Sequence, residues 1–266
     1  IALVLVILVL ARPQTTNKWQ NSEIEGIDIM LAIDVSTSML AEDLKPNRLE
    51  AAKDVAAEFI NGRPNDNIGI TLFAGETFTQ CPLTVDHAVL LDMIHNIKCG
   101  LITDGTAVGM GIANAVTRLK DSKAKSKVII LLTDGTNNKG DISPMTAAEI
   151  AKSFGIRVYT IGVGTNGMAP YPYPVGNTVQ YVSMPVEIDE KTLTEIAGTT
   201  DGNYFRATSN SKLKEVYEEI DKLEKTKLNV KEYSKRDEEY HWFALAAFLC
   251  VLLEVLLRNS VLKKIP

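Results

Sequence analysis

The sequence predicts a doubly wound α/β domain with a mostly parallel central sheet, and three observations carry that expectation. Branched apolar runs of strand length recur at residues 26–33, 67–73, 128–133 and 157–162. Stretches with apolar residues at helical spacing lie between them, so strands and helices alternate. Two of the runs end in a carboxylate, Asp34 and Asp134. A parallel sheet puts the carboxyl ends of its strands on one rim, and ligands bind outside that rim.

The elements follow in order. Residues 1–11 are almost wholly apolar, and residues 1–12 read as the truncated end of a transmembrane helix. At 1.5 Å per residue that run covers about half of a hydrocarbon core of about 30 Å. Residues 13–25 read as a linker. Strand 26–33 leads into Asp34. Pro46-Asn47-Arg48 opens a helix with Asn47 as its cap. Leu49, Ala52, Val55, Ala56, Phe59 and Ile60 form its inner face, and Gly62 and Pro64 stop it. Strand 67–73 is followed by a short strand at about 77–81, expected at the sheet edge. Asp86 caps a second helix reaching about residue 97. A third covers 107–120. Gly109 and Gly111 sit near its start, where each costs about 1 kcal/mol against alanine. Close approach of a neighbouring loop accounts for them, and so does chance.

Strand 128–133 is expected at the centre of the sheet. Asn137-Asn138-Lys139-Gly140 is a turn, and Ser143-Pro144 starts a fourth helix. Strand 157–162 follows. Residues 164–188 then break the rhythm: Pro170, Pro172, Pro174 and Pro185 forbid a helix, and a small hairpin around Gly176-Asn177 is expected. Tyr171 and Tyr173 alternate with the prolines, so this insertion is either a partner-binding surface or a segment packing on its own domain. Asp189 caps a short helix, 202–206 is the last strand, and 209–225 is the last helix. The domain is expected over 26–222 and a charged juxtamembrane stalk over 223–239. A transmembrane helix is expected over 240–262 and a basic tail over 263–266. Tyr240 and Trp242 stand at the start of that helix, where aromatic residues favour the membrane interface, and Glu254 can pair with Arg258 four residues on. A buried amphipathic helix is the alternative. The basic end predicts a cytoplasmic C-terminus and a domain outside the inner membrane, on the periplasmic side.

The chemistry concentrates at Asp34-Val35-Ser36-Thr37-Ser38. One carboxylate and two hydroxyls, spaced two apart where a strand stops, can turn towards one point. Hard oxygen donors of this kind suit Mg²⁺, which keeps part of its water. A Ser/Thr-rich helix cap fits the same residues equally well. Asp134 on the neighbouring rim and Thr106 in the loop before the third helix add a second carboxylate and a third hydroxyl from separate loops.

These residues resemble the metal-ion-dependent adhesion site of the von Willebrand factor type A domain family. Asp34, Ser36 and Ser38 match its Asp-x-Ser-x-Ser, Thr106 its isolated threonine, and Asp134 its late aspartate. The segments Phe73-Ala74-Gly75-Glu76 and Thr79-Gln80-Cys81-Pro82-Leu83-Thr84 look like the membrane-anchored BatA-type branch, of the Bacteroides aerotolerance family. The resemblance implies a non-enzymatic, metal-dependent protein-binding module. It would bind Mg²⁺, with Mn²⁺ or Ca²⁺ as alternatives, and capture a Glu or Asp of a partner. It also implies sibling A-domain proteins and a MoxR-type ATPase as associates. A periplasmic domain would reach that cytosolic ATPase only through membrane segments or a sibling.

The remaining composition sets limits. A net charge of −5, with basic residues clustered only at the chain's end, gives no nucleic-acid surface. Cys81, Cys99 and Cys250 make no metal or redox spacing, and Cys81 and Cys99 are read as unpaired thiols, with pairing in an oxidising compartment left open. An enzymatic alternative makes Asp34 the nucleophile of a metal-dependent phosphoryl transfer. Ser36 stands where that chemistry wants a second acid, no phosphate-cradling Gly-rich loop with Lys exists, and His87, His95 and His241 share no motif with an acid. A structural membrane anchor with an inactive site is the third reading.

Overall fold

The computed structural model describes residues 14–15, 26–165, 167–175, 178–186, 188–229, 237–238 and 240–260. The segment 1–12 lies outside them. The chain divides into two compact units, one of Ile24–Val230 and one of Ile1–Glu23 with Lys231–Pro266.

In the larger unit the chain runs β1 (Asp28–Asp34), α1 (Arg48–Asn61), β2 (Asn67–Phe73), β3 (Thr77–Thr84), α2 (His87–His95), α3 (Val108–Leu119) and β4 (Lys127–Thr133). It continues with α4 (Pro144–Ser153), β5 (Arg157–Val163), β6 (Gly167–Val175), β7 (Thr178–Val186), α5 (Glu190–Thr199), β8 (Tyr204–Ala207) and α6 (Asn210–Asn229). Six strands form one sheet in the order β3-β2-β1-β4-β5-β8. All neighbours are parallel except the edge strand β3, which runs antiparallel to β2. β3 extends past the expected Cys81 to Thr84, and Pro82 is tolerated there because an edge strand leaves half its N–H groups unused.

β1 is buried along its whole length, and its alternation divides the core in two. Ile29, Leu31 and Ile33 pack with Leu49, Val55 and Ile60 of α1 and with Leu213, Val216 and Ile220 of α6. Met30 and Ala32 point the other way, towards Val108 and Ile112 of α3 and the alanines Ala147, Ala148 and Ala151 of α4. Helices therefore cover both faces, as the sequence led us to expect. The caps fall at the expected residues: Asn47, Asp86, Ser143 and Asp189 each accept a hydrogen bond from the backbone N–H three residues on.

β1 has β2 on one side and β4 on the other. The chain leaves β1 in one direction and returns on the other side, so a crevice opens between the ends of β1 and β4. Asp34 closes β1, and Asp134 directly follows β4.

Glycine-dependent packing brings a third loop to that crevice. A Cβ on Gly109 would lie 2.1 Å from the Ile142 carbonyl oxygen, and one on Gly111 would lie 2.7 Å from the Phe73 ring. Close approach, and not chance, accounts for both residues. Helix propensity alone favours Gly109→Ala by about 1 kcal/mol. The clash with backbone should outweigh it, and the variant is expected to lose about 2–3 kcal/mol of stability in urea unfolding followed by circular dichroism. A more stable Gly109→Ala variant would show that the 142–143 loop yields freely.

Two parts differ from the sequence reading. α6 runs on to Asn229, and Glu224 is buried, because its carboxylate is bonded into the sheet. Residues 223–224, read as the start of a stalk, thus pack with the domain. In the smaller unit Gln14–Thr15 pairs with Asp237–Glu238, and a helix α7 forms at Tyr240–Ser260. Among the described residues no helix is long and apolar enough to cross a membrane. The expected Glu254–Arg258 pair lies outside the described side chains. Cys81 and Cys99 are both free thiols.

Candidate metal centre

The Asp34 carboxylate is fully buried and held at both oxygens. Its Oδ1 accepts from the Ser36 backbone N–H at 2.9 Å, and its Oδ2 accepts from the Thr133 hydroxyl at 2.6 Å. The first bond curls the chain after β1, so that Ser36 and Ser38 face the same way. Their hydroxyls stand 2.9 Å apart. The Ser38 hydroxyl donates to Asp134 Oδ1 at 2.7 Å. A continuous chain of oxygens thus links the β1 loop to the β4 loop.

Thr106 enters from the third loop. Its N–H donates to the Asn138 side-chain oxygen at 2.9 Å, and its carbonyl accepts from the Asn138 and Lys139 backbone. The next residue, Ala107, donates to the Ala74 carbonyl at 2.7 Å. The loop is therefore pinned between the ends of β2 and β4. The Thr106 hydroxyl lies 3.4 Å from the position of a Cβ on Gly135, beside Asp134. Ser38, Thr106 and Asp134 line one cavity of about 350 Å³, and Asp34 and Ser36 sit behind it. All five residues singled out in the sequence converge.

Arg48 was missed. It was read as the opening of a helix, yet it is the largest fully buried side chain. Its Nε and Nη2 form a two-pronged bond to Asp43, at 2.7 and 2.6 Å. Its Nη1 reaches Asp134 Oδ2 at 2.6 Å. Both Asp134 oxygens are thus engaged, one by Ser38 and one by Arg48. A clue existed in the sequence: a cation in the first turn opposes the helix dipole and calls for a partner. Asn138, read as a turn residue, was missed as the support of Thr106.

The electrostatics suit a cation. Burial, and then the negative charge of Asp134, push the Asp34 carboxyl up to about 7. Burial pushes the Asp134 carboxyl up as well, against the pull of Arg48 and Ser38. Three carboxylates, Asp34, Asp43 and Asp134, lie around one guanidinium, which bonds only the last two, and this leaves room for positive charge. Oxygen-only donors, three of them hydroxyls, fit a hard divalent ion. No group of three or more His, Cys, Asp or Glu able to hold a metal exists among the described residues. The donor set here contains only two such residues. Cys99 is close, donating its thiol to the Ser36 carbonyl at 3.4 Å. Burial, and then the charge of Asp34, push that thiol up to about 12, so it offers no thiolate.

The comparisons identify the family. A family model described as von Willebrand factor type A domain matches residues 28–219. The chain belongs to that family. Among solved structures, the conserved hypothetical protein BatB from Bacteroides thetaiotaomicron is 34% identical, with a TM-score of 0.66 over 75% of this chain and 100% of that one. An aerotolerance-related membrane protein from Bacteroides fragilis is also 34% identical, with a TM-score of 0.64 over 74% and 100%. Proximal thread matrix protein 1 from the mussel byssus, described with a zinc-occupied MIDAS motif, is 25% identical, with a TM-score of 0.59 over 74% and 45%. A UPF0353 protein of Mycolicibacterium paratuberculosis is 32% identical over 203 residues, 71% of this chain, which spans 58% of that relative's length. The resemblance to the aerotolerance-related branch of the A-domain family therefore holds.

Proposed function

We propose that this chain is a membrane-anchored, metal-dependent protein-binding module. One observation carries the reading: hydrogen bonds link Asp34, Ser36, Ser38 and Asp134 at the crevice between β1 and β4, and Thr106 lines the same cavity as Ser38 and Asp134. These five would hold Mg²⁺, or Mn²⁺ or Ca²⁺ in its place. The mussel relative, with zinc in its motif, supports a divalent ion at such a site. The ion supplies an electrophilic position at which a partner's Glu or Asp can replace water. Because Arg48 and Ser38 occupy both Asp134 oxygens, Asp134 would act on a bound ion through Ser38. The hydroxyls then leave the ion short of negative charge and in want of an anionic ligand.

Asp34 as a nucleophile is disfavoured by its own surroundings. It is 0% exposed, with both oxygens bonded, so no phosphoryl group can approach it in line.

The membrane part of the reading rests on α7. Leu245, Phe248, Val251, Leu252 and Leu253 are all exposed, and they spread over an arc of about 200° of the helix. A helix of 21 residues spans about 31 Å, the thickness of a hydrocarbon core. Among the described residues, however, no helix is long and apolar enough to cross a membrane. The relative described as an aerotolerance-related membrane protein supports a membrane setting; the inner membrane, with the domain of 26–222 on the periplasmic side, is proposed from the basic end of the chain. The same description also supports a role in oxygen tolerance; sibling A-domain proteins and a MoxR-type ATPase are proposed as associates from the family resemblance alone.

The test is a pull-down from membranes with Mg²⁺ and with chelator. Capture should need Mg²⁺, and Ser36→Ala or Thr106→Ala should raise the Mg²⁺ concentration needed for capture by about 10–100-fold. Equal capture by all variants in all conditions overturns the proposal.

A further inference from the structure

The hairpin β6–β7, which the sequence left open as either a surface or an insertion, forms one wall of the metal cavity. Ala169, Tyr171, Tyr173 and Met184 line it opposite Ser38, Thr106 and Asp134. This follows from strand geometry. Ala169, Tyr171 and Tyr173 are two apart, so they share one face of β6. Ala169 pairs with Met184 and Tyr171 with Val182, which puts those side chains on the same face. The wall carries no charge, while the floor carries the carboxylates and hydroxyls.

The wall is fixed to the site. The Glu42 N–H donates to the Pro170 carbonyl at 2.9 Å, and the Tyr181 hydroxyl bonds to the Glu42 side chain. Pro170 therefore turns its backbone away from β7, and Pro172 and Pro174 share that phase. Three prolines remove the N–H groups from this outer edge, so no further strand can add there. Glu42 stands just after the 3-10 turn Thr37–Leu40 that carries Ser38. The backbone just after the metal loop is thus bonded directly to the wall.

The wall is also left bare. Tyr173 is 57% exposed and Met184 46%, beside a cavity that already holds the donors. Apolar side chains left uncovered next to a binding site mark the contact area of a ligand.

We infer that the hairpin is the second half of the docking site. It receives a large apolar side chain that neighbours the metal-bound carboxylate, so the ligand is an extended protein segment with Glu or Asp beside an aromatic or long aliphatic residue. The charge pattern fixes this choice of occupant: an anionic oxygen meets the ion on the floor, and an uncharged body meets the wall. The inference rests on the metal-dependent reading above and adds the ligand's flank to it.

The test uses the full chain in detergent micelles with Mg²⁺ and two fluorescein-labelled peptides of equal length and charge. One carries a central Gly-Glu-Gly, the other a central Phe-Glu-Leu. Anisotropy should show the Phe-Glu-Leu peptide binding about tenfold tighter, as expected for one buried apolar side chain. The double variant Tyr173→Ser/Met184→Ser changes only half-exposed positions, so its fold should be retained, which circular dichroism checks. It should bind both peptides alike, at the wild-type affinity for Gly-Glu-Gly, and still need Mg²⁺. Equal binding of the two peptides by the wild type overturns the role of the hairpin alone. So does a preference that survives in the double variant. Absence of Mg²⁺-dependent binding of either peptide overturns the underlying reading of the site as well.

Discussion

Arg48→Met is expected to lower the unfolding free energy by about 3–5 kcal/mol, the usual cost of stripping one partner from a buried ion pair. Methionine matches much of the arginine volume, so little of that loss is cavity. What remains is charge. Asp43 loses two bonds and Asp134 one, and both side chains are almost wholly buried. Arg48→Lys should restore little, because an ammonium cannot fork onto Asp43 and reach Asp134 together. Both tryptophans, Trp19 and Trp242, lie outside the larger unit, so urea unfolding should be followed by circular dichroism. Two further results separate electrostatics from packing. Saturating Mg²⁺ should recover more stability in Arg48→Met than in the wild type, since the ion supplies the positive charge that Asp134 has lost. The acid limb should change as well. Burial acts to raise the Asp43 carboxyl, but Arg48 and the Thr165 backbone outweigh it and hold it at about 2. A carboxyl depressed in the folded state adds stability at neutral pH, which is lost as pH falls through about 4 towards 2. Without Arg48 most of that loss disappears, and stability should fall less steeply between those values. An unchanged acid limb together with unchanged stability would show that the Arg48 bonds contribute nothing net.

Much of this structure could be read in advance, and the reason lies in which interactions are local. Period-two and period-3.6 patterns named every helix and strand of the sheet, because each element buries a face set by its own spacing. Caps were legible because Asn47, Asp86, Ser143 and Asp189 act within three residues. The metal loop was legible because a strand end fixes the spacing of Asp34, Ser36 and Ser38. The missed features all depend on distant chain segments. Arg48 meets Asp134 across 86 residues, and nothing near either residue announces the other. Gly109 was ambiguous until Ile142 lay against it. Glu224 looked like one more charge in a polar run, since its partners lie 65 to 98 residues away. The hairpin's existence was visible in its prolines, but its placement over the cavity depends on Glu42.

Glu224→Ala is expected to cost about 3–5 kcal/mol as well, by the same physics at the opposite rim of the sheet. The Glu224 carboxylate accepts from Ser126 at 2.8 Å, from Tyr159 at 2.6 Å and from two nitrogens of Arg157 at 3.0 and 2.5 Å. Ser126 precedes β4, and Arg157 opens β5, so one side chain ties the last turns of α6 to two strands. Burial pushes the Glu224 carboxyl up, but Tyr159, Arg157 and Ser126 together outweigh it and hold it below the usual range. The folded-state value is thus depressed, so this group's contribution is present above the ordinary glutamate range and drains away as the pH falls below it. Glu224→Gln should therefore flatten the acid limb and still lose stability at neutral pH, because an amide cannot accept from all four donors. The loss should also be local. Glu224 is the last side chain of α6 described, and it is buried, so freeing it should speed hydrogen exchange over residues 221–229 far more than over β1, which opens only on global unfolding. Uniform acceleration in both segments would mean that the cluster supports the whole domain and not the end of α6. Local acceleration would place the limit of the rigid domain at Glu224.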